Sequence, residues 1–160
     1  VIIGGIVREP VTIMKTAQAM NYKPNFYGLG PTTDKRVGLL AGEAGEGFIT
    51  AYWAFHPESN NSGPEFYREL CDKNNVPAKM RGLYHYYGFA TAVVLVEGLK
   101  RAGKNLNRKR FINALENLKN WESGVFPPIT YSRNDHAGVE SVMLLQLQSG
   151  KQVEISDWLN

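Results

Sequence analysis

The stretch LYHYYGFATAVVLVEGLKRA, residues 83 to 102, limits the possible folds more than any other part of the chain. Tyr84, Tyr87, Phe89, Val93, Val94, Leu95, Val96 and Leu99 spread apolar positions nearly all round a helical wheel. Such a helix needs packing partners on most of its sides and is expected to be deeply buried. Its longest apolar run, Phe89 to Val96, is far too short to span a bilayer, so the cover has to be protein. Gly103, after Arg101-Ala102, supplies the stop.

The residues ahead of it predict a different layer. Val1-Ile2-Ile3 is a short apolar run ended by Gly4-Gly5, and Glu9 to Met20 places Val11, Ile13, Met14, Ala17 and Met20 at a helical period of about 3.6. Pro10 suits the first helical turn. Asn25 to Leu29 (NFYGL) predicts a second strand, broken by Gly28, Gly30 and Pro31. Asp34 is the N-cap of a short helix carrying Val37, Leu39 and Leu40, and Gly47 to Trp53 (GFITAYW) is a third strand. Strand, helix, strand, helix, strand is a parallel βαβαβ arrangement that calls for cover on both sheet faces. A first strand of three residues, with no Met or signal peptide ahead of it, points to a chain that starts inside a larger fold.

After the loop-like residues 56 to 64 (HPESNNSGP) the character changes to helices over Pro64 to Lys73, Leu83 to Ala102 and Arg108 to Leu118, the last capped by Asn107. Val125 to Ser132 (VFPPITYS) then predicts a strand whose prolines suit an edge or an interlobe crossing. Val142 to Leu147 and Gln152 to Ile155, joined through Ser149-Gly150, predict a hairpin. The order describes a chain that leaves one lobe, visits a second whose sheet is not in the sequence, and returns.

Composition narrows the function classes. The chain has 160 residues, 43% hydrophobic and 21% charged, as an ordinary globular protein does. The net charge is +3 and the basic residues are scattered; the densest cluster, Lys100, Arg101, Lys104, Arg108, Lys109 and Arg110, surrounds a helix-helix connection with no aromatic platform, so it reads as a solvated face and not a nucleic-acid surface. Cys71 is alone and forms no internal disulfide, which leaves the compartment open. His56, His85 and His136 have no metal-ligand spacing, and GEAGEG (42 to 47) does not match the dinucleotide fingerprint. With no P-loop, nucleophile elbow or HExxH motif, neither catalysis nor a cofactor or metal is expected.

The ordered segments carry a resemblance. IIGGIVREP, NYKPNFYGLGPTTD and LAGEAGEGFITAYW, followed by YHYYGFATAVVLVEGLKRAGKNL, FINALENLKNW, GVFPPITYSRNDHAG and a final hairpin ending in Ser-Asp-Trp, resemble the periplasmic solute-binding proteins of branched-chain amino-acid-type ABC transporters over essentially the whole chain. The resemblance implies an α/β fold of the type I periplasmic binding class, here its C-terminal half. That fold is a three-layer lobe of parallel sheet with helices on both faces, plus helices of a second lobe. Residues 1–53 and 124–160 would form the C-terminal ligand-binding lobe and residues 58–120 the helical part of the N-terminal lobe, with crossovers at 54–57 and 121–123.

The resemblance also implies a non-enzymatic, exported receptor, periplasmic or extracellular, whose signal peptide is not in this sequence. Its partners would be a small solute, a membrane permease and the N-terminal half of the same protein, with no nucleic acid. In such folds the solute lies in the interlobe cleft beside the carboxyl ends of the strands. That places Gly5, Ile6, Val7 and Arg8 on one candidate binding loop, Leu29, Gly30, Pro31 and Thr32 on the next, and Tyr52 before the crossover. Amino-acid-binding relatives often carry an aromatic after the two glycines and a carboxylate in the second loop. Here Ile6 and Val7 take the first place and Gly30 the second, so an ammonium anchor is missing unless Asp34 or Glu9 reaches in. A buried ammonium without an opposite charge is costly, which favours a carboxylate, aromatic or uncharged-amine solute. Arg8 is either a bidentate anion donor or an exposed residue at a helix start. The alternative function is a ligand-sensing regulatory domain of the same fold, which the absence of a signal peptide and permease genes would favour; a small α/β enzyme is disfavoured.

Overall fold

A computed structural model describes residues 1–160, in two compact units, Val1–Trp53 with Ser141–Asn160, and Ala54–Glu140. Residues 124–140, which the resemblance groups with the first segment, cluster with the second unit.

The first unit is a sheet in the order β1-β2-β3-β4-β5: β1 (Ile2–Ile3), β2 (Tyr27–Gly28), β3 (Ile49–Tyr52), β4 (Met143–Gln148) and β5 (Lys151–Glu154). The first three are parallel, as the βαβαβ pattern predicts, with Ile3 opposite Gly28 and Gly28 opposite Thr50. β4 runs antiparallel to β3, pairing Thr50 with Leu145 and Tyr52 with Met143. The predicted hairpin joins β4 to β5 through Ser149 and Gly150, whose φ values of 50° and 78° fit a type I′ turn.

Helices α1 (Arg8–Ala19) and α2 (Lys35–Ala41) cover one face of this sheet. α1 buries Pro10, Met14 and Ala17, one stripe at four- and three-residue steps. Met14 meets Ile3, Val37, Ala41, Phe48 and Leu147 in a core from which each large side chain draws about 1.5–3 kcal/mol. The other face has no such cover: in the row Ile2, Tyr27, Ile49, Gln146, Val153, Ile2 is 79% exposed and Tyr27 42%.

The second unit holds α3 (Ser62–Lys73), α4 (Leu83–Ala102) and α5 (Arg108–Glu116). Asn107 caps α5 by accepting the Arg110 N–H, and Gly103 ends α4 at φ 72°, both as expected. The amino end of α4 sits in an aromatic nest: the Tyr67 ring lies 5.0 Å from Tyr86 and 5.2 Å from Phe89, and its hydroxyl is 2.9 Å from His85 Nδ1. Near the carboxyl end, Gly98 admits Phe111 and Leu115 of α5. The entry to α3 needs Gly63, because a Cβ there would meet the Gly124 carbonyl carbon at 2.5 Å.

One expectation is corrected, the strand after α5, and one is met only in part: α4 is buried on one side, and its remaining apolar face has no cover from this chain. Deep burial of α4 is not found within this chain: Leu83, Tyr86, Ala90 and Gly98 are buried, but Leu95, Val96 and Leu99 are 48%, 46% and 39% exposed. The strand predicted over Val125 to Ser132 is absent; only one isolated bridge forms there, between Trp121 and Ile129. Pro127 and Pro128 have no N–H to extend it into a ladder.

Candidate functional site

Because β1, β2 and β3 are parallel neighbours, the segments after them leave the same end of the sheet. Gly4 to Val7, Leu29 to Asp34 and Trp53 therefore form one strand-end rim, the usual place for a ligand in an open α/β sheet. The two loops that the sequence singles out are thus brought together by the topology of the first unit alone.

The first loop is fastened by a side chain from its own helix. Glu9 Oε2 accepts the Ile6 N–H at 3.1 Å, and its Cβ lies 2.7 Å from where a Cβ on Gly5 would stand. That hydrogen bond is the main cause holding the Glu9 carboxyl below its ordinary value, with Arg8 adding a little. Ile6 is left 51% exposed, Val7 packs partly on the core and Arg8 is exposed at the first helical position.

The second loop is a 3-10 turn, Gly30–Thr33, braced from within. Thr32 Oγ1 donates to the Leu29 carbonyl at 2.7 Å and Thr33 Oγ1 to the Gly30 carbonyl at 2.6 Å, so both hydroxyls are engaged and both residues are buried. Leu29, 55% exposed, and Pro31 remain outward. Gly28 ahead of them has no room for a side chain, since a Cβ would strike Phe48 Cζ at 2.5 Å as well as the Thr32 hydroxyl.

Asp34 does not reach the rim as an anchor. It caps α2 by accepting the Arg36 N–H at 2.9 Å, and both carboxylate oxygens hold the Arg36 guanidinium at 2.8 Å. Its side chain is 2% exposed. Burial pushes its pKa up, but the Arg36 bonds outweigh burial and the net shift is downward.

Of the aromatics at the end of β3, Tyr52 is fully buried beneath the sheet, whereas Trp53 borders the rim, its Nε1 3.6 Å from where a Cβ on Gly30 would stand. Trp53 and Glu9 thus join the candidate residues. Strand alternation carries the signal for the first, because Phe48, Thr50 and Tyr52 share the buried face and Trp53 falls on the other. For the second no short motif exists. The resulting wall is apolar (Ile6, Leu29, Trp53) and carries the cation Arg8; Asp34 is held by Arg36, and Glu9 accepts the Ile6 N–H within the rim itself. Chemically it can pack a hydrophobic body and complement an anion.

A family model described as periplasmic binding protein matches residues 1–152. No curated protein matches the chain in sequence. Among solved structures the chain is similar to a branched-chain amino acid ABC transporter protein from Thermus thermophilus with bound valine, at 20% identity and a TM-score of 0.90 over 99% of this chain and 46% of that one. It is also similar to a leucine-binding protein from Thermotoga maritima (18%, TM-score 0.75, 99% and 44%). A third is a fatty acid ABC transporter substrate-binding protein from Thermomonospora curvata (18%, TM-score 0.82, 99% and 42%). At these identities the likeness is one of fold, and the chain spans less than half the length of each.

Proposed function

The chain belongs to the periplasmic binding protein family and has its type I fold, and from that premise we propose that it is part of the extracytoplasmic solute-binding component of an ABC transporter. Its solute is a small carboxylate, aromatic or amino-acid-like molecule. The strand-end rim of the first unit forms one wall of the solute site, and residues outside this sequence supply the opposing wall. The two compact units then correspond to parts of the two lobes of such a receptor, and a solute that touches both walls shifts an open–closed equilibrium toward the closed state that docks on the permease.

One observation carries the choice of solute: Asp34, the acidic side chain of the second loop, is buried and held by Arg36 at 2.8 Å through both oxygens. An ammonium arriving at Leu29 and Gly30 would find no free carboxylate from that loop, and leaving it unpaired costs several kcal/mol, on the order of a buried unpaired ion. Arg8 and the apolar side chains of Ile6, Leu29 and Trp53 suit a carboxylate on a hydrophobic body. Titration calorimetry of the intact receptor tests this with matched pairs, 2-oxoisocaproate against leucine and phenylpyruvate against phenylalanine. The oxo acids are expected to bind more tightly; tighter binding of the amino acids would overturn the assignment.

A further inference from the structure

A cavity lies within the second unit. Its volume is about 430 Å³, and Arg108, Ile112, Leu115, Glu116, Tyr131 and His136 line it. The four α5 residues fall at steps of four, three and one, so they form a single stripe about 12 Å long from the amino end of the helix to its carboxyl end. Volume and composition are those of a small-molecule site, mostly apolar with a few placed polar groups.

The charges in it are unequal. At one end Glu116 Oε1 lies within hydrogen-bond distance of His136 Nε2, 3.2 Å, and His136 is held there by a tight turn in which the Ser132 N–H donates to the Asp135 carbonyl at 2.8 Å and the Ala137 N–H to Asp135 Oδ1 at 2.8 Å. At the other end Arg108 is exposed and has no carboxylate partner. Around it Lys100, Lys104, Lys109 and Arg110 are likewise exposed and unpaired, while Arg101 alone is matched, by Glu97 at 2.6 Å. Arg108, Lys109 and Arg110 occupy the first turn of α5, where the helix dipole already disfavours cations. Of these three only Arg108 lines the cavity, and its guanidinium beside the apolar Ile112 and Leu115 suits a molecule with a negative head and a hydrophobic body.

We propose that this cavity is an accessory binding site for an anionic amphiphile, its anionic group held by Arg108 and one hydrocarbon chain lying over Ile112, Leu115 and Tyr131. The site is built from residues of the second unit alone and does not depend on the solute reading. The head group can belong to a free fatty carboxylate or to an anionic membrane lipid; the chemistry at Arg108 is the same.

Calorimetry of the intact receptor with decanoate, decanol and decylamine tests the site. Decanoate is expected to bind, decylamine not to, and Arg108→Gln to weaken decanoate roughly tenfold or more through the lost charged hydrogen bond. Ile112→Asp, folded by circular dichroism, is expected to abolish binding by placing a charge under the chain. Decanoate also fits the solute class proposed for the strand-end rim, so Leu29→Asp is expected to remove at most a second binding event and to leave the Arg108-dependent one unchanged. Binding of decylamine as tight as decanoate, indifference of every decanoate binding event to Arg108→Gln, or loss of the Arg108-dependent event on Leu29→Asp would each overturn the proposal. Sedimentation with phosphatidylglycerol vesicles that decanoate competes away assigns a lipid head group, whereas decanoate binding without vesicle binding assigns a free carboxylate.

Discussion

Replacing Asp34 separates two contributions that the structure places on one side chain. The carboxylate caps α2 through the Arg36 N–H at 2.9 Å and grips the Arg36 guanidinium at 2.8 Å. Loss of an N-cap to Ala costs roughly 1 kcal/mol, within 0.5–2. The ion pair is discounted because the Arg36 side chain is 55% exposed, so it contributes up to about 1 kcal/mol. Asp34→Ala is then expected to destabilise by about 1–3 kcal/mol, and Asp34→Asn, which keeps a capping oxygen, by about 1 kcal/mol or less. The pH dependence has a definite sign. The folded Asp34 pKa is lowered, so its contribution is present above the unfolded value and is lost as pH falls through the acid range toward the folded one. Urea unfolding of the three proteins, followed by circular dichroism at neutral and acid pH, measures both effects. A cost for Asn equal to that for Ala, or a difference between wild type and Asn that does not shrink on acidification, would refute the division.

Two further outcomes rest on the packing. Gly63→Ala should cost about 1–3 kcal/mol because its Cβ meets the backbone of Gly124, whereas Gly88→Ala, in α4 with no heavy atom within 4 Å of the new Cβ, should stabilise this chain by up to about 1 kcal/mol; thermal denaturation of the pair reads the opposite signs. Burial lowers the His56 pKa against a smaller opposing effect of Glu58, whose N–H donates to His56 Nδ1 at 3.3 Å and so favours the neutral ring. The unfolded ring therefore takes up a proton at a higher pH than the folded one, and stability should fall as pH drops below about 6.5, the ordinary value. His56→Gln should flatten that dependence in denaturation midpoints measured from neutral pH downward.

The elements most legible in the sequence were those defined by local chemistry. Asp34 and Asn107 announce their helices as caps, Gly103 ends α4, and the Ser149-Gly150 turn fixes the hairpin; each is decided within a few residues. The strand expected at Val125 to Ser132 failed because its apolar residues read as β while Pro127 and Pro128 withhold the donors a ladder needs. Burial of α4 could not be read from α4 itself, since an apolar wheel states a demand for cover and not where the cover comes from. At the rim, topology put the two loops side by side as the alternating pattern required. The engagement of Asp34 with Arg36 and of Glu9 with Ile6 depends on side-chain rotamers that no motif encodes, so which carboxylate remained free was open until the geometry was known.

The two outer strands of the sheet differ in a way that bears on how this chain behaves at high concentration. β5 carries Lys151 and Glu154, charges that discourage a neighbouring molecule from adding on. β1 carries only isoleucines, and its Ile2 stands 79% exposed. Charge therefore opposes strand addition beside β5, while nothing in β1 opposes a strand beside it, whether that strand comes from the rest of the receptor or from another molecule.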